Sequence, residues 1–214
     1  MSTTFMQLLS GMVVSVEIFL LTLLFSLPLG LLVSFGRMSR NRILQGLVKV
    51  YIAIMRGTPL MLQLIVVYFA PFYIFGIPIA PEYRFIAVII AFSINYAAYF
   101  AEIYRAGIES MPVGQYEAAA VLGYSKSQTF FKIIFPQVIK RILPPVTNET
   151  ITLVKDTSLA FVIAVAEMFT IAKQISAKQA SVTALMVAGL FYFVFNYVVA
   201  FIMEKFEKKL SYYR

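Results

Sequence analysis

The feature that most restricts this chain is its series of long apolar runs. A helix needs roughly 20 mostly apolar residues to cross a bilayer. Five stretches reach that length, at about 11–35, 58–77, 84–104, 146–171 and 182–203. They predict an all-α integral membrane protein with five transmembrane helices in a single domain over residues 1–214. The composition agrees: 61% of residues are hydrophobic and 13% are charged, where soluble domains carry about 25% charged residues. Pro71 and Pro78 place a bend or an exit at the end of the second run. The fourth run holds Glu149, Lys155, Asp156 and Glu167. No Lys or Arg precedes the first run, so it lacks the basic leader of a cleavable signal peptide and reads as a retained span. Cysteine and histidine are absent, which excludes disulfides, Cys/His metal sites, Cys nucleophiles and His general bases.

The net charge of +8 would suit a nucleic-acid surface if it were gathered on one face. It is instead divided among connections. Arg37, Arg40, Arg42, Lys49 and Arg56 lie between the first and second spans; Arg105, Lys126, Lys132, Lys140 and Arg141 lie between the third and fourth. Lys205, Lys208, Lys209 and Arg214 follow the fifth. Together these are fourteen of the 18 basic residues; the other side has Arg84, Lys173 and Lys178. Positive charge is retained on the cytoplasmic side, so the N-terminus is expected outside and the C-terminus in the cytoplasm. No nucleic-acid partner is expected.

That orientation puts the segment at about 105–145 in the cytoplasm, a connection of about 40 residues where most are far shorter. Its centre reads as two short helices. VGQYEAAAVLG is a run of strong helix formers that stops on Gly123. SKSQTFFKIIF opens on Ser125 with Gln128 three residues later, a capping-box pattern. Pro136 is expected to limit its continuation. Such a knob, with small residues at Ala118 to Ala120, suits docking into another protein's cleft; spacing equally allows a hairpin lying on lipid headgroups.

The knob resembles a known element. Glu117-Ala118-Ala119, then Gly123, then Ile133-Ile134-Phe135-Pro136 follow the pattern of the EAA loop of ABC importer permeases: EAA, three residues, G, nine residues, I-x-L-P. Phe135 stands where leucine is usual, and is expected to sit against the knob's own core. Further stretches look like the polar amino-acid (histidine/glutamine/arginine-type) subfamily: Arg56-Gly57-Thr58-Pro59, the approach Tyr99 to Ala119, Lys155-Asp156-Thr157-Ser158-Leu159, and Ala166-Glu167. The resemblance implies a type I ABC importer permease in a bacterial inner membrane. It implies a second permease subunit, with a homodimer favoured, and two ATPase subunits docked through Glu117, Ala118, Ala119, Gly123, Ile133 and Pro136. It also implies an extracytoplasmic solute-binding protein and an amino-acid substrate. ATP and Mg would sit on the ATPases, with no cofactor on this chain. The residues support that division independently: no G-x-x-x-x-G-K-[ST] phosphate loop occurs, and no Lys follows any Gly.

An ionisable residue within a span costs about 2.5–3.5 kcal/mol on insertion scales and marks a functional candidate. Glu149, Asp156 and Glu167 are spaced by seven and eleven residues, which in a regular helix brings them onto one stripe. Asn95, Tyr99 and Glu102 form a second stripe on the third span. The expectation is a path between two permease subunits: Asp156 or Glu167 meets a substrate cation, Asn95, Thr157 and Ser158 supply hydrogen bonds, and Tyr99 packs the substrate's stem. Acids outnumber bases on these faces, which favours arginine, lysine or histidine over glutamine or glutamate. The alternative is internal pairing, Lys155 with Asp156 and Glu102 with Arg105. Two other classes compete. An intramembrane enzyme lacks any nucleophile motif here, and a secondary transporter would show internal repeats that are not seen.

Overall fold

The computed structural model describes residues 2–210, so Arg214 lies outside the described residues. Every regular element among them is helical. Helices suit a chain in lipid because they satisfy each backbone group within the segment.

Two long helices form the axis, α1 (Ser2–Arg37) and α4 (Tyr83–Glu109). At 1.5 Å per residue α1 is about 54 Å long, more than a bilayer core of about 30 Å. The two pack through small residues. Ser26 and Ser34 of α1 and Ala97 and Ala101 of α4 are buried. A Cβ on Gly30 would lie 2.7 Å from Cβ of Phe100. Lipid offers no hydrophobic drive for helices to associate, so close approach and dispersion must supply it. Around α4 the core gathers Ala87, Phe92, Tyr96, Phe100, Leu153 and Val154.

The segment between the first and second spans contains a helix that the sequence reading treated as a connection. α2 (Arg42–Gly57) starts on Asn41, whose Oδ1 accepts from the amides of Ile43 (2.9 Å) and Leu44 (3.3 Å). It has one broad apolar face. Val48, Tyr51, Ile52 and Met55 pack on Val33, Ala98 and Ala101, while Ile43, Leu47, Val50 and Ile54 stay exposed. At Thr58-Pro59 the chain turns by 112° into α3 (Leu60–Phe75). Pro59 has no amide hydrogen and serves at the start of α3, where that donor would be free. Helix α3 is about 24 Å long and ends on Gly76 at φ 66°.

After α4 comes α5 (Val113–Val121), then one continuous helical stretch from Lys126 to Ile163. The stretch comprises α6 (Lys126–Gln128), a π-helical turn (Thr129–Ile134), α7 (Phe135–Asp156) and a 3₁₀ helix (Thr157–Ile163). Pro136 therefore does not end the second short helix, contrary to expectation. A proline ring clashes with the carbonyl four residues back. The π turn just before it widens the helix, with the Phe135 amide bonding to Phe130 O five residues back. That places Pro136 near the start of a fresh α-helix.

The fourth span is not one regular helix either. Thr157 Oγ1 donates to Val154 O and Ser158 Oγ to Lys155 O, both at 2.8 Å and three residues back, matching the tighter 3₁₀ winding. Ala164 then adopts φ 57°, and α8 (Met168–Gln179) leaves at 57° to the preceding stretch. The stripe expected to join Glu149, Asp156 and Glu167 is broken at Asp156, because the 100° repeat stops there. Helix α9 (Thr183–Leu210) closes the fold, with Thr147 Oγ1 donating to Glu207 at 2.6 Å at its far end. Among the described residues α1, α4 and α9 are long and apolar enough to cross a membrane, and two bent pairs raise the number to five if each is one span.

Candidate functional site

Two places gather the chemistry, the hairpin of α5 and α6 and the polar cluster where the α2–α3 corner meets α4 and α7.

The hairpin is built as its residues dictate. Gly123 stops α5 at φ 79°, a conformation open to glycine and costly for residues with a Cβ. The Tyr124 amide then reaches Ala119 O and the Gly123 amide reaches Ala120 O, a paired closure of the helix end. Ser125 Oγ accepts from the Gln128 amide (3.3 Å) and Gln128 Oε1 accepts from the Ser125 amide (3.0 Å), completing the capping box. Gln115 and Gln137 exchange two bonds of 2.9 and 2.7 Å, fastening α5 to α7. Arg141 Nη1 donates to Ser110 O at 2.7 Å and fastens α7 to the end of α4. On Gly107 of α4 a Cβ would collide with Ile142 of α7, so only glycine allows this approach. The hairpin is thus tied to α7 through Gln115 and Gln137, and α7 to α4 at Arg141 and Gly107.

Its residues divide by face. Glu117, Ala118, Gly123 and Pro136 are exposed, and Ile133 is half-buried. Ala119 is 1% exposed, so the small-residue surface expected at Ala118 to Ala120 lacks its middle member. Phe135 stacks on Phe130 with centroids 5.5 Å apart, against the hairpin's own core. The residues missed from sequence are Val121, 88% exposed, and Leu122, 74% exposed. The pattern EAA draws attention to its own letters, whereas the loop turns the two residues before Gly123 outward.

The second cluster begins with Asn95. Its Nδ2 donates to Met55 O (2.9 Å) and Gln63 Oε1 (2.8 Å), and Gln63 Nε2 donates to Met55 O, Thr58 O and Thr58 Oγ1 at 2.8–3.1 Å. These amides stitch the α2–α3 corner to α4, so both donors of Asn95 are engaged with protein. The corner presents Arg56, whose Cζ lies 5.3 Å from the Tyr99 ring centroid. Tyr99 lies beside Tyr96, centroids 6.2 Å apart, and the Tyr96 hydroxyl donates to Asp156 Oδ2 at 2.7 Å. Asp156 and Tyr99 are half-buried and Lys155 is exposed. Glu149, one helical repeat before Asp156, lies within the electrostatic reach of Arg56. Glu102 is set apart, paired with Arg105 at 2.7 Å and with Arg37 of α1 at 3.5 Å.

Glu167 is elsewhere again, fully buried at the start of α8. Its carboxylate accepts from the amides of Phe169 and Thr170 (2.7 Å each), from Thr170 Oγ1 (2.8 Å) and from the Tyr192 hydroxyl (2.9 Å). A carboxylate capping a helix and tied to α9 serves the bend between the 3₁₀ helix and α8. Thr157 is buried and bonded to the helix, while Ser158 is half-buried.

Comparison with known proteins places this architecture. The family described as binding-protein-dependent transport system inner membrane component matches residues 26–212. The L-cystine transport system permease protein TcyB of Bacillus subtilis (strain 168) is 35% identical, over 95% of this chain and 86% of that protein. The arginine transport system permease protein ArtQ of the same organism is 35% identical, over 95% and 92%. A crystal structure of an amino acid ABC transporter with histidines superimposes with a TM-score of 0.86 at 30% identity, covering 98% of this chain and 96% of that one. The chain is therefore a helical inner-membrane protein of the binding-protein-dependent transport family, the permease subunit of an amino-acid ABC importer rather than an enzyme.

Proposed function

We propose that this permease carries a cationic amino acid, arginine, lysine or histidine, with glutamine and glutamate as the less favoured class. The observation that carries this reading is the half-buried Asp156 carboxylate, held by the Tyr96 hydroxyl at 2.7 Å beside the Tyr99 ring. An acid and an aromatic face are together a receptor for an ammonium or guanidinium. Glu149 adds a second acid, and Ser158 a hydroxyl near the same turn. Asn95 acts on this site through the backbone it holds, Glu167 serves the bend before α8 apart from it, and Glu102 with Arg37 and Arg105 forms an ionic lock between α1 and α4 at the cytoplasmic end.

In this reading the N-terminus faces outward and the C-terminus inward. The exposed hairpin residues Glu117, Ala118, Val121, Leu122, Gly123 and Pro136, with Ile133, form the seat for an ATPase subunit that binds ATP and Mg. The exposed Val121 and Leu122 are apolar surface that such a partner would cover. Two copies of this chain line the path, two ATPases drive it, and an external binding protein delivers the solute.

The test is uptake by proteoliposomes holding the permease with its ATPase. Arginine uptake should require ATP and fall about tenfold in Asp156→Asn, the size expected when a charged hydrogen bond is lost. ATP-driven glutamine uptake that exceeds arginine and is indifferent to Asp156→Asn would overturn the cationic assignment.

A further inference from the structure

The cluster contains a cation of the protein's own, and it stands where a substrate's cation would be received. Arg56 is the last residue but one of α2, and its place is imposed from behind. The carbonyl of Met55, one residue earlier, takes a bond from Asn95 and another from Gln63; Thr58, two residues later, is held by Gln63 through both its carbonyl and its hydroxyl. The segment on either side of Arg56 is therefore clamped to α4 and α3. The guanidinium projects from the clamp over Tyr99 at 5.3 Å. It also acts electrostatically on Glu149 of α7 and Glu102 of α4. Lys155 is the base that acts on Asp156, and both Lys155 and Arg56 are exposed. Among the described residues Arg56 has no ion pair within 4 Å; the aromatic ring and the field of nearby acids hold it. Those are the interactions that any cation arriving at the site would make.

We infer that Arg56 is a tethered occupant of the cation subsite, resting on Tyr99 opposite Glu149 until a substrate's ammonium or guanidinium displaces it. This rests on the reading of Tyr99, Glu149 and Asp156 as the substrate site. The tether has a physical purpose. Glu149 would otherwise have no base acting on it whenever no substrate is bound, and uncompensated charge within the membrane is costly. Arg56 offsets that charge in the empty site, and its weak, ring-based hold lets it leave. It also sets a threshold: a ligand must compete with a guanidinium for the ring, so neutral side chains gain little there.

The experiment measures binding of L-arginine and of agmatine, which is arginine without its carboxylate, to the full-length permease in nanodiscs. Arg56→Gln is expected to bind both ligands about threefold to fivefold more tightly, the scale of one exposed cation–π contact. Arg56→Lys, which keeps the charge with a weaker hold on the ring, should fall between wild type and Arg56→Gln for both. Weaker arginine binding with unchanged agmatine binding in Arg56→Gln would overturn the inference and make Arg56 a partner for the substrate carboxylate. Unchanged binding of both ligands in both Arg56 variants would also overturn it. Asp156→Asn, measured alongside, separates the two layers: if it weakens binding, only the Arg56 role has failed, and if it too changes nothing, the site itself is misassigned. Should Arg56→Gln not fold, Arg56→Lys binding no tighter than wild type is sufficient to refute it.

Discussion

At the scale of single residues, identical chemistry has different uses according to what surrounds it. Asp156 and Glu167 are both acids in the fourth apolar run, and spacing treats them alike. Asp156 is half-buried, with the Tyr96 hydroxyl bonded to one oxygen, and retains capacity for another partner. Glu167 is fully buried with four close donors and has none to spare. Glu167→Ala should leave those donors unsatisfied, a cost of about 3 kcal/mol or more. The thermal midpoint of the purified permease should then fall by roughly 6 °C or more. Arginine binding by the fraction that remains folded should be unchanged. A binding loss as large as that of Asp156→Asn, without a drop in midpoint, would return Glu167 to the substrate site. Nothing in a list of acids distinguishes these two. The difference arises because backbone winding changes at Thr157 and the chain supplies its own donors beyond it.

At the scale of elements, the hairpin shows how local signals and long-range packing divide the work. Its stop at Gly123 and its capping box at Ser125 and Gln128 are local, and both were legible because they involve hydrogen bonds within a few residues. Its continuation through Pro136 was not, since the π turn that accommodates the proline is bound up with Phe130, Phe135 and the bundle behind them. Helix α2 was missed for a different reason. Its apolar residues form one broad face, part covered by α1 and α4 and part exposed, opposite Arg42, Gln45, Lys49 and Arg56, but 16 residues with three basic side chains fall short of a spanning run. Two changes separate shape from surface in the hairpin. Gly123→Ala forces a Cβ into the left-handed region and should cost about 1 kcal/mol, weakening ATPase association several-fold. Leu122→Asp leaves the backbone untouched and replaces a 74% exposed leucine with a charge. If that surface docks, Leu122→Asp should abolish co-purification of the ATPase while membrane insertion stays normal. Full co-purification with Leu122→Asp would move the docking surface off this tip.

At the scale of the whole molecule, the layout predicts sidedness that can be read directly. The chain has no cysteine, so single cysteines can be introduced without background. An impermeant thiol reagent applied outside intact cells should label Val182→Cys, between α8 and α9, and should spare Leu122→Cys until the membrane is opened. The reverse pattern would invert the topology inferred from the basic residues. The number, length and composition of the apolar runs, the placement of Lys and Arg, and the hairpin pattern were set by the sequence alone, because transfer to lipid, retention of positive charge and helix capping each depend on short stretches of chain. The tertiary structure alone decided that α2 turns by 112° into α3, that the fourth span breaks after Asp156, that Asn95 spends its donors on the corner, and that Arg56 faces Tyr99. Those arrangements depend on which groups from distant helices meet at the same depth, and a buried hydrogen-bonding group takes whichever partner the packing brings to it.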